Sequence, residues 1–132
     1  HITALRDRLI AGIEDRLPFV RLNGHRTDRL PGNVNFSIEF LEGESLILML
    51  DMRGIAASTG SACAAGSLEP SHVLLAIGLP HEIAHGSLRL TLSRCNTEEE
   101  VDYTIEQLEN VVGRLREMSP LFMQEKEDAK YV

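Results

Sequence analysis

Cysteine is scarce in this chain: Cys63 and Cys95 are the only two in 132 residues, too few for a disulfide framework and without metal-ligand spacing. No apolar run approaches the roughly 18 residues needed to cross a bilayer. The N-terminal stretch HITALRDRL has neither a signal-peptide nor a transit-peptide pattern. These absences read as a cytoplasmic protein without a membrane partner. Lys and Arg form no cluster and the formal net charge is −7; phosphate neutralisation needs a basic face, so non-specific nucleic-acid binding is excluded. No internal repeat, low-complexity segment or linker divides the chain. Hydrophobic residues make up 43% and charged residues 25%, an ordinary globular composition. A chain of this length removes roughly 68% of its unfolded surface from water and needs no staples.

Periodicity gives the element order. Ile2, Leu5, Leu9, Ile13 and Leu17 share one helical face, and Pro18 follows where that helix should stop. In NVNFSIEF, Val34, Phe36, Ile38 and Phe40 alternate with polar residues, a strand with one wet face. EGESLILMLDMRG returns to helical spacing through Leu46, Ile47 and Leu50, with Gly54 placed as its C-terminal cap. IAAST reads as a short strand, and EPSHVLLAIG as a helix started by Pro70, buried through Val73, Leu74 and Ile77 and closed by Gly78. GSLRLTLS alternates Leu88, Leu90 and Leu92 with Arg89 and Thr91. Thr97 and Glu100 have capping-box spacing ahead of a helix built on Val101, Ile105, Leu108, Val112 and Leu115. SPLFMQEKEDAKYV starts with a breaker and turns polar, so a partly ordered tail is expected over 121–132. The expected fold is α/β (α+β): one small domain over 1–120, with about three strands packed by helices.

Between the short strand and the Pro70 helix lies ASTGSACAAGS, where Cys63 is surrounded only by Ala, Ser, Thr and Gly. A structural cysteine is usually a small apolar residue in a packed element. This one sits in a loose, small-residue segment near Gly54, Gly60 and Gly66. The residues leave two readings open: an accessible reactive thiol, or a turn where two backbones approach closely.

The stretch GSACAAGSLEPSHVLLAIGLPHEIAHGSLRLTLSRCNTEEEVDYTIEQL, together with RLPGNVNFSIEFLEGESL, resembles the C-terminal region of the NifS/IscS-type cysteine desulfurases. These are pyridoxal-phosphate enzymes of the class V aminotransferase fold. The G-S-A-C core, S-L-E-P-S, A-H-x-S-L-R and T-E-E-E at matching distances make the likeness specific. It implies the small C-terminal domain of a PLP fold type I enzyme that converts L-cysteine to L-alanine. By the same resemblance Cys63 attacks the sulfur of the bound substrate, becomes a persulfide, and passes the sulfur to an iron–sulfur scaffold protein or another acceptor. It would also make Cys63 a transient iron–sulfur ligand; no other metal ligand is implied. Arg89 matches the arginine that binds the substrate carboxylate, a task suited to its planar fork; without the resemblance, a solvated strand residue is the simpler reading.

The resemblance further implies a homodimer and a pyridoxal 5'-phosphate held by a lysine in a larger N-terminal domain. The only lysines are Lys126 and Lys130 in the tail. The chain therefore resembles a C-terminal fragment with no cofactor-binding residue of its own, expected to be inactive alone. Two rivals stand beside this reading: a non-catalytic thiol or redox-binding module, and a selenocysteine lyase. Cys95, where the family usually has an aromatic residue, reads as space-filling at a strand end. His72, His81 and His85 read as helix-surface and turn residues, with His85 placed to support the Arg89 strand. Glu98, Glu99 and Glu100 suit a helix N-terminus.

Overall fold

The computed structural model describes residues 1–59, 73, 76–78 and 86–130. Helix α1 (Ile2–Arg16) buries Leu5, Leu9, Ile10 and Ile13 along one stripe. It stops because Pro18 biases its predecessor away from helical backbone: Leu17 is extended, at φ −114 and ψ 116. Strands β1 (Val20–Leu22) and β2 (Asn33–Ile38) follow. Helix α2 (Gly43–Asp51) buries Leu46 and Leu50. Strand β3 (Ser87–Thr91) precedes helix α3 (Glu98–Glu117) and helix α4 (Pro120–Lys130).

The three strands form an antiparallel sheet in the order β1-β2-β3. Val34 stands opposite Leu90 and Phe36 opposite Leu88, so the apolar positions of both strands share one face. That face meets the helices: α1 packs on β2 and α3, while α2 packs on β3 and α3. Val34, Phe36, Ile38, Leu88, Leu108 and Val112 are all essentially inaccessible. The expected mixed fold with about three strands is thus present, and the alternation in β2 and β3 orients it.

Two glycines shape the route to β3. Helix α2 ends in the paired bonds of a Schellman turn, Gly54 N–H to Asp51 O at 3.0 Å and Ile55 N–H to Leu50 O at 3.0 Å, with Gly54 at φ +78. Just before β3, Gly86 lies so close to the end of β2 that any Cβ would collide with the Ile38 carbonyl oxygen. Its own carbonyl accepts from Ile38 N–H at 2.9 Å.

Several expectations need correction. IAAST does not form a strand: Ser58 alone bridges to Arg89, because the Schellman turn delivers the chain alongside β3 for a single exchanged pair. Phe40 leaves the β2 alternation in a turn at φ 68. Val73 and Ile77, expected to be buried, are 57% and 48% exposed; Gly78 has the positive φ expected of a helix end, +94. Pro120 starts a helix instead of only breaking one, as its fixed φ allows at a first helical position. That helix, α4, buries no residue fully, but Phe122 packs against Phe40 at 5.6 Å between ring centroids.

Candidate functional site

Arg89 is the central residue of β3, and its side chain lies on the sheet face opposite the helical core. Its backbone N–H donates to Ser58 O at 2.6 Å, and its carbonyl accepts from Ser58 N–H at 3.1 Å. Both main-chain groups are therefore spent towards Ser58. The pairing with Asn35 on the other side must then be the narrow, non-hydrogen-bonded kind, in which facing Cα atoms are only about 4.5 Å apart and side chains are closest. Asn35, Arg89 and Ser58 form one row across this face.

The row continues into a buried polar cluster. Asn23, 6% exposed, donates from Nδ2 to Asn35 Oδ1 and to Ser37 Oγ, each at 2.9 Å. Asn23 N–H also donates to the Asn35 carbonyl at 2.9 Å. The buried Asn23 Oδ1 accepts no hydrogen bond. Asn23 is itself held from the loop side, since Arg29 Nη2 donates to its carbonyl at 3.1 Å. Burial pushes the Arg29 guanidinium down from its usual value, and the nearby Arg6 adds to that.

The exposed Arg89 guanidinium has no hydrogen bond or ion pair among the described residues. An arginine flanked by amide and hydroxyl side chains with no carboxylate of its own can bind an anion, and its fork best fits a planar carboxylate or a phosphate. Ser87 Oγ, on the same strand, donates to Thr59 O at 2.8 Å. This ties the segment leading to Cys63 against β3.

Cys63, His72, His81 and His85 lie outside the described residues. Cys95 does not fill space at the strand end: it is exposed in the turn between β3 and α3. That turn closes on itself through Ser93 N–H donating to Asn96 Oδ1 at 2.8 Å, which leaves the thiol outside. Glu98, Glu99 and Glu100 do occupy the first turn of α3, and Thr97 and Glu100 form the full capping box. Hydrogen bonds from the Asn96 side chain and the Thr97 backbone hold Glu100 below its ordinary carboxylate pKa.

A cleft of about 540 Å³ lies between β3, residues 54–56 and the start of α3, lined by Leu9, Ile55, Leu92, Val101 and Tyr103 among others. It does not reach Arg89 or Asn35. Among the described residues no group of three or more His, Cys, Asp or Glu could hold a metal ion, and no helix is long and apolar enough to cross a membrane.

The fold and the site define a small α+β domain: helices on one face of an antiparallel sheet, the exposed Arg89 on the other. The chain belongs to the family described as Aminotransferase class-V, whose profile matches residues 1–104. It is 59% identical to cysteine desulfurase IscS of Clostridium botulinum over an alignment covering 96% of this chain and 33% of that protein. It is 60% identical to cysteine desulfurase IscS of Methanosarcina thermophila, covering 89% of this chain and 29% of that one. The structure of a NifS-like protein from Rickettsia africae superposes with a TM-score of 0.71 at 25% identity, over 83% of this chain and 28% of the other. The chain thus spans about a third of the length of the curated relatives it matches.

The family is one of pyridoxal-phosphate enzymes, and the donor set can be tested for that group. Lys126 and Lys130, the chain's two lysines, are exposed on α4 and not on the Arg89 face. No described residue on the Arg89 strand or its partner β2 offers the amine that a Schiff base requires.

Proposed function

We propose that this chain supplies the carboxylate-binding arginine and the sulfur-accepting thiol of a pyridoxal-phosphate-dependent cysteine desulfurase. The observation that carries the reading is Arg89: a guanidinium free among the described residues, on a polar sheet face beside the segment that leads to the thiol. Cys63 follows Thr59 by four positions, and such a span reaches at most about 14 Å. Thr59 is tied to β3 two residues from Arg89. A substrate held by its carboxylate at Arg89 therefore lies within the compass of the Cys63 tether. The names of the relatives support the same assignment.

Arg89 binds and orients L-cysteine through its carboxylate. Cys63, as thiolate, forms a bond to the substrate sulfur while the Cβ–S bond breaks. The electron pair stays with Cβ and, with a proton, completes the methyl group of L-alanine. Cysteine plus thiol becomes alanine plus persulfide, with no external oxidant or reductant. The cofactor, when bound, supplies the electron sink for that cleavage, and a separate domain of the protein holds it. The working enzyme is a cytoplasmic homodimer, and the persulfide sulfur goes to an acceptor such as an iron–sulfur scaffold protein.

The test uses the full-length holoenzyme. Treatment with L-cysteine should add one sulfur atom to the Cys63 peptide by mass, and Cys63→Ser should stop alanine formation. Near-normal alanine production by Cys63→Ser would overturn the reading.

A further inference from the structure

We infer that Asn35 is a second ligand of the substrate carboxylate, donating from its side-chain Nδ2 beside the Arg89 fork. The inference rests on the reading of Arg89 given above and extends it to a residue on a different strand. Asn35 Oδ1 is already engaged, accepting from Asn23 Nδ2 at 2.9 Å. That bond fixes the amide so that Nδ2 is its free end, and no described residue accepts from it. Asn23 can hold it firmly because Asn23 is buried and also bonded to Ser37 and to the Asn35 main chain.

Across the narrow pair, Asn35 and Arg89 present donors to each other. An arginine has five N–H donors and no acceptor, and an amide nitrogen has two donors, so the guanidinium and Asn35 Nδ2 cannot satisfy each other. Two donor groups side by side are satisfied together only by a shared acceptor. A carboxylate has about four lone-pair sites: a bidentate arginine takes two and leaves one for Asn35. A substrate ammonium is disfavoured at this pair, being repelled by the guanidinium and facing an Asn35 Oδ1 that is turned to Asn23. The pair therefore fixes which end of a zwitterionic amino acid faces the sheet.

The experiment measures KM and kcat for L-cysteine in the full-length holoenzyme carrying Asn35→Ala, Asn35→Asp, Arg89→Ala, and the Asn35→Ala/Arg89→Ala pair. Loss of a hydrogen bond to a charged group predicts that Asn35→Ala raises KM by about tenfold or more with kcat little changed. Asn35→Asp keeps the acceptor that Asn23 needs, so it preserves the cluster, but its carboxylate occupies the Arg89 fork; KM should rise further than in Asn35→Ala. In the double variant the rise should fall short of the product of the single effects, because both residues grip one carboxylate. An unchanged KM in Asn35→Ala, a KM for Asn35→Asp no higher than that of Asn35→Ala, or strictly multiplicative effects would each overturn the inference. Failure of the underlying reading is separately visible: Arg89→Ala itself would then leave KM unchanged.

Discussion

The guanidinium of Arg116 lies 5.6 Å from the ring centroid of Phe122 and, at 2% exposure, is among the most buried groups in the protein. It donates from Nε to the Glu39 carbonyl at 3.2 Å and from Nη2 to the Phe19 carbonyl at 3.1 Å. The Phe19 ring sits 5.8 Å from the same guanidinium. Phe19 and Phe40 both adopt positive φ, 56 and 68, an uncommon choice for bulky residues. Arg116 thus ties the end of α3 to the two turns flanking the sheet. Desolvation lowers its pKa, partly offset by the charge of Glu39, and it remains charged at any working pH.

Removing this cation leaves two carbonyls and a cavity. Arg116→Ala should therefore cost about 2 to 4 kcal/mol of stability, read as a lower urea midpoint with unchanged slope. Phe122→Ala should cost less, about 1 to 2 kcal/mol, since the ring is only partly buried. A double variant no worse than Arg116→Ala would show that the ring acts mainly through the guanidinium.

Gly86 offers a test of how β3 is placed. A Cβ there would meet the Ile38 carbonyl oxygen, and would lie 3.0 Å from its carbon. These are main-chain atoms of the neighbouring strand and cannot swing aside. Gly86→Ala should lower stability by about 1 to 3 kcal/mol, a drop of several degrees in Tm. It should also raise KM, because Arg89 is displaced with the strand. Gly113→Ala, where the added Cβ meets nothing within 4 Å, is the control and should be neutral or slightly stabilising.

Helical and strand periods made α1, β2, β3 and α3 legible before any coordinates, because each runs long enough to repeat its pattern over a buried face. The capping box at Thr97 and Glu100 and the turn at Gly54 were legible because each is a local bond between near neighbours. Strand β1 has three residues and no room for a period, so it is defined only by its pairing with β2. Arg89 was visible as a polar residue in an apolar strand, whereas Asn35 was one of several polar positions. What singles it out is the register with Arg89 and the bond from Asn23, both tertiary. Pro120 carries opposite local signals, breaker and helix starter, and the Phe122 packing favours the second.

The link between α1 and α3 predicts an acid dependence. Arg8 grips Asp102 with two bonds, Nε to Oδ1 at 2.8 Å and Nη2 to Oδ2 at 2.9 Å. Chiefly through hydrogen bonding, with a smaller direct charge effect, Arg8 holds the Asp102 carboxyl below its usual value. A carboxylate depressed in the folded state stabilises the fold above its unfolded pKa, about 3.9. That contribution is lost as pH falls through the lower folded value. Asp102→Asn should therefore lower Tm slightly at pH 7, and the gap to wild type should close progressively below about pH 4. Because the pair is exposed, 0.5 M salt should shrink the gap as well. A difference that is constant from pH 7 to pH 2 would mean the pair contributes nothing through its charge.

The two thiols should separate under chemical labelling in a way that follows from where Cys95 sits. Cys95 is exposed in the turn between Ser93 and Asn96, and its own N–H is taken up by Ser93 Oγ at 3.2 Å. Nothing in the Asn35–Arg89 row touches it. Iodoacetamide should modify Cys95 in the native protein without loss of desulfurase activity, and Cys95→Ser should be indistinguishable from wild type in kcat and KM. Activity should instead track modification of Cys63 alone. In a Cys95→Ser background, one equivalent of reagent should abolish alanine formation irreversibly, whereas after prior treatment with L-cysteine the reagent should alkylate the outer persulfide sulfur instead. Reduction of that disulfide then releases the label and returns the free Cys63 thiol and the activity. Peptide mass mapping at timed quenches, run beside the activity assay, decides the matter: inactivation that follows Cys95 would move the sulfur chemistry to the wrong loop and overturn the role assigned to Cys63.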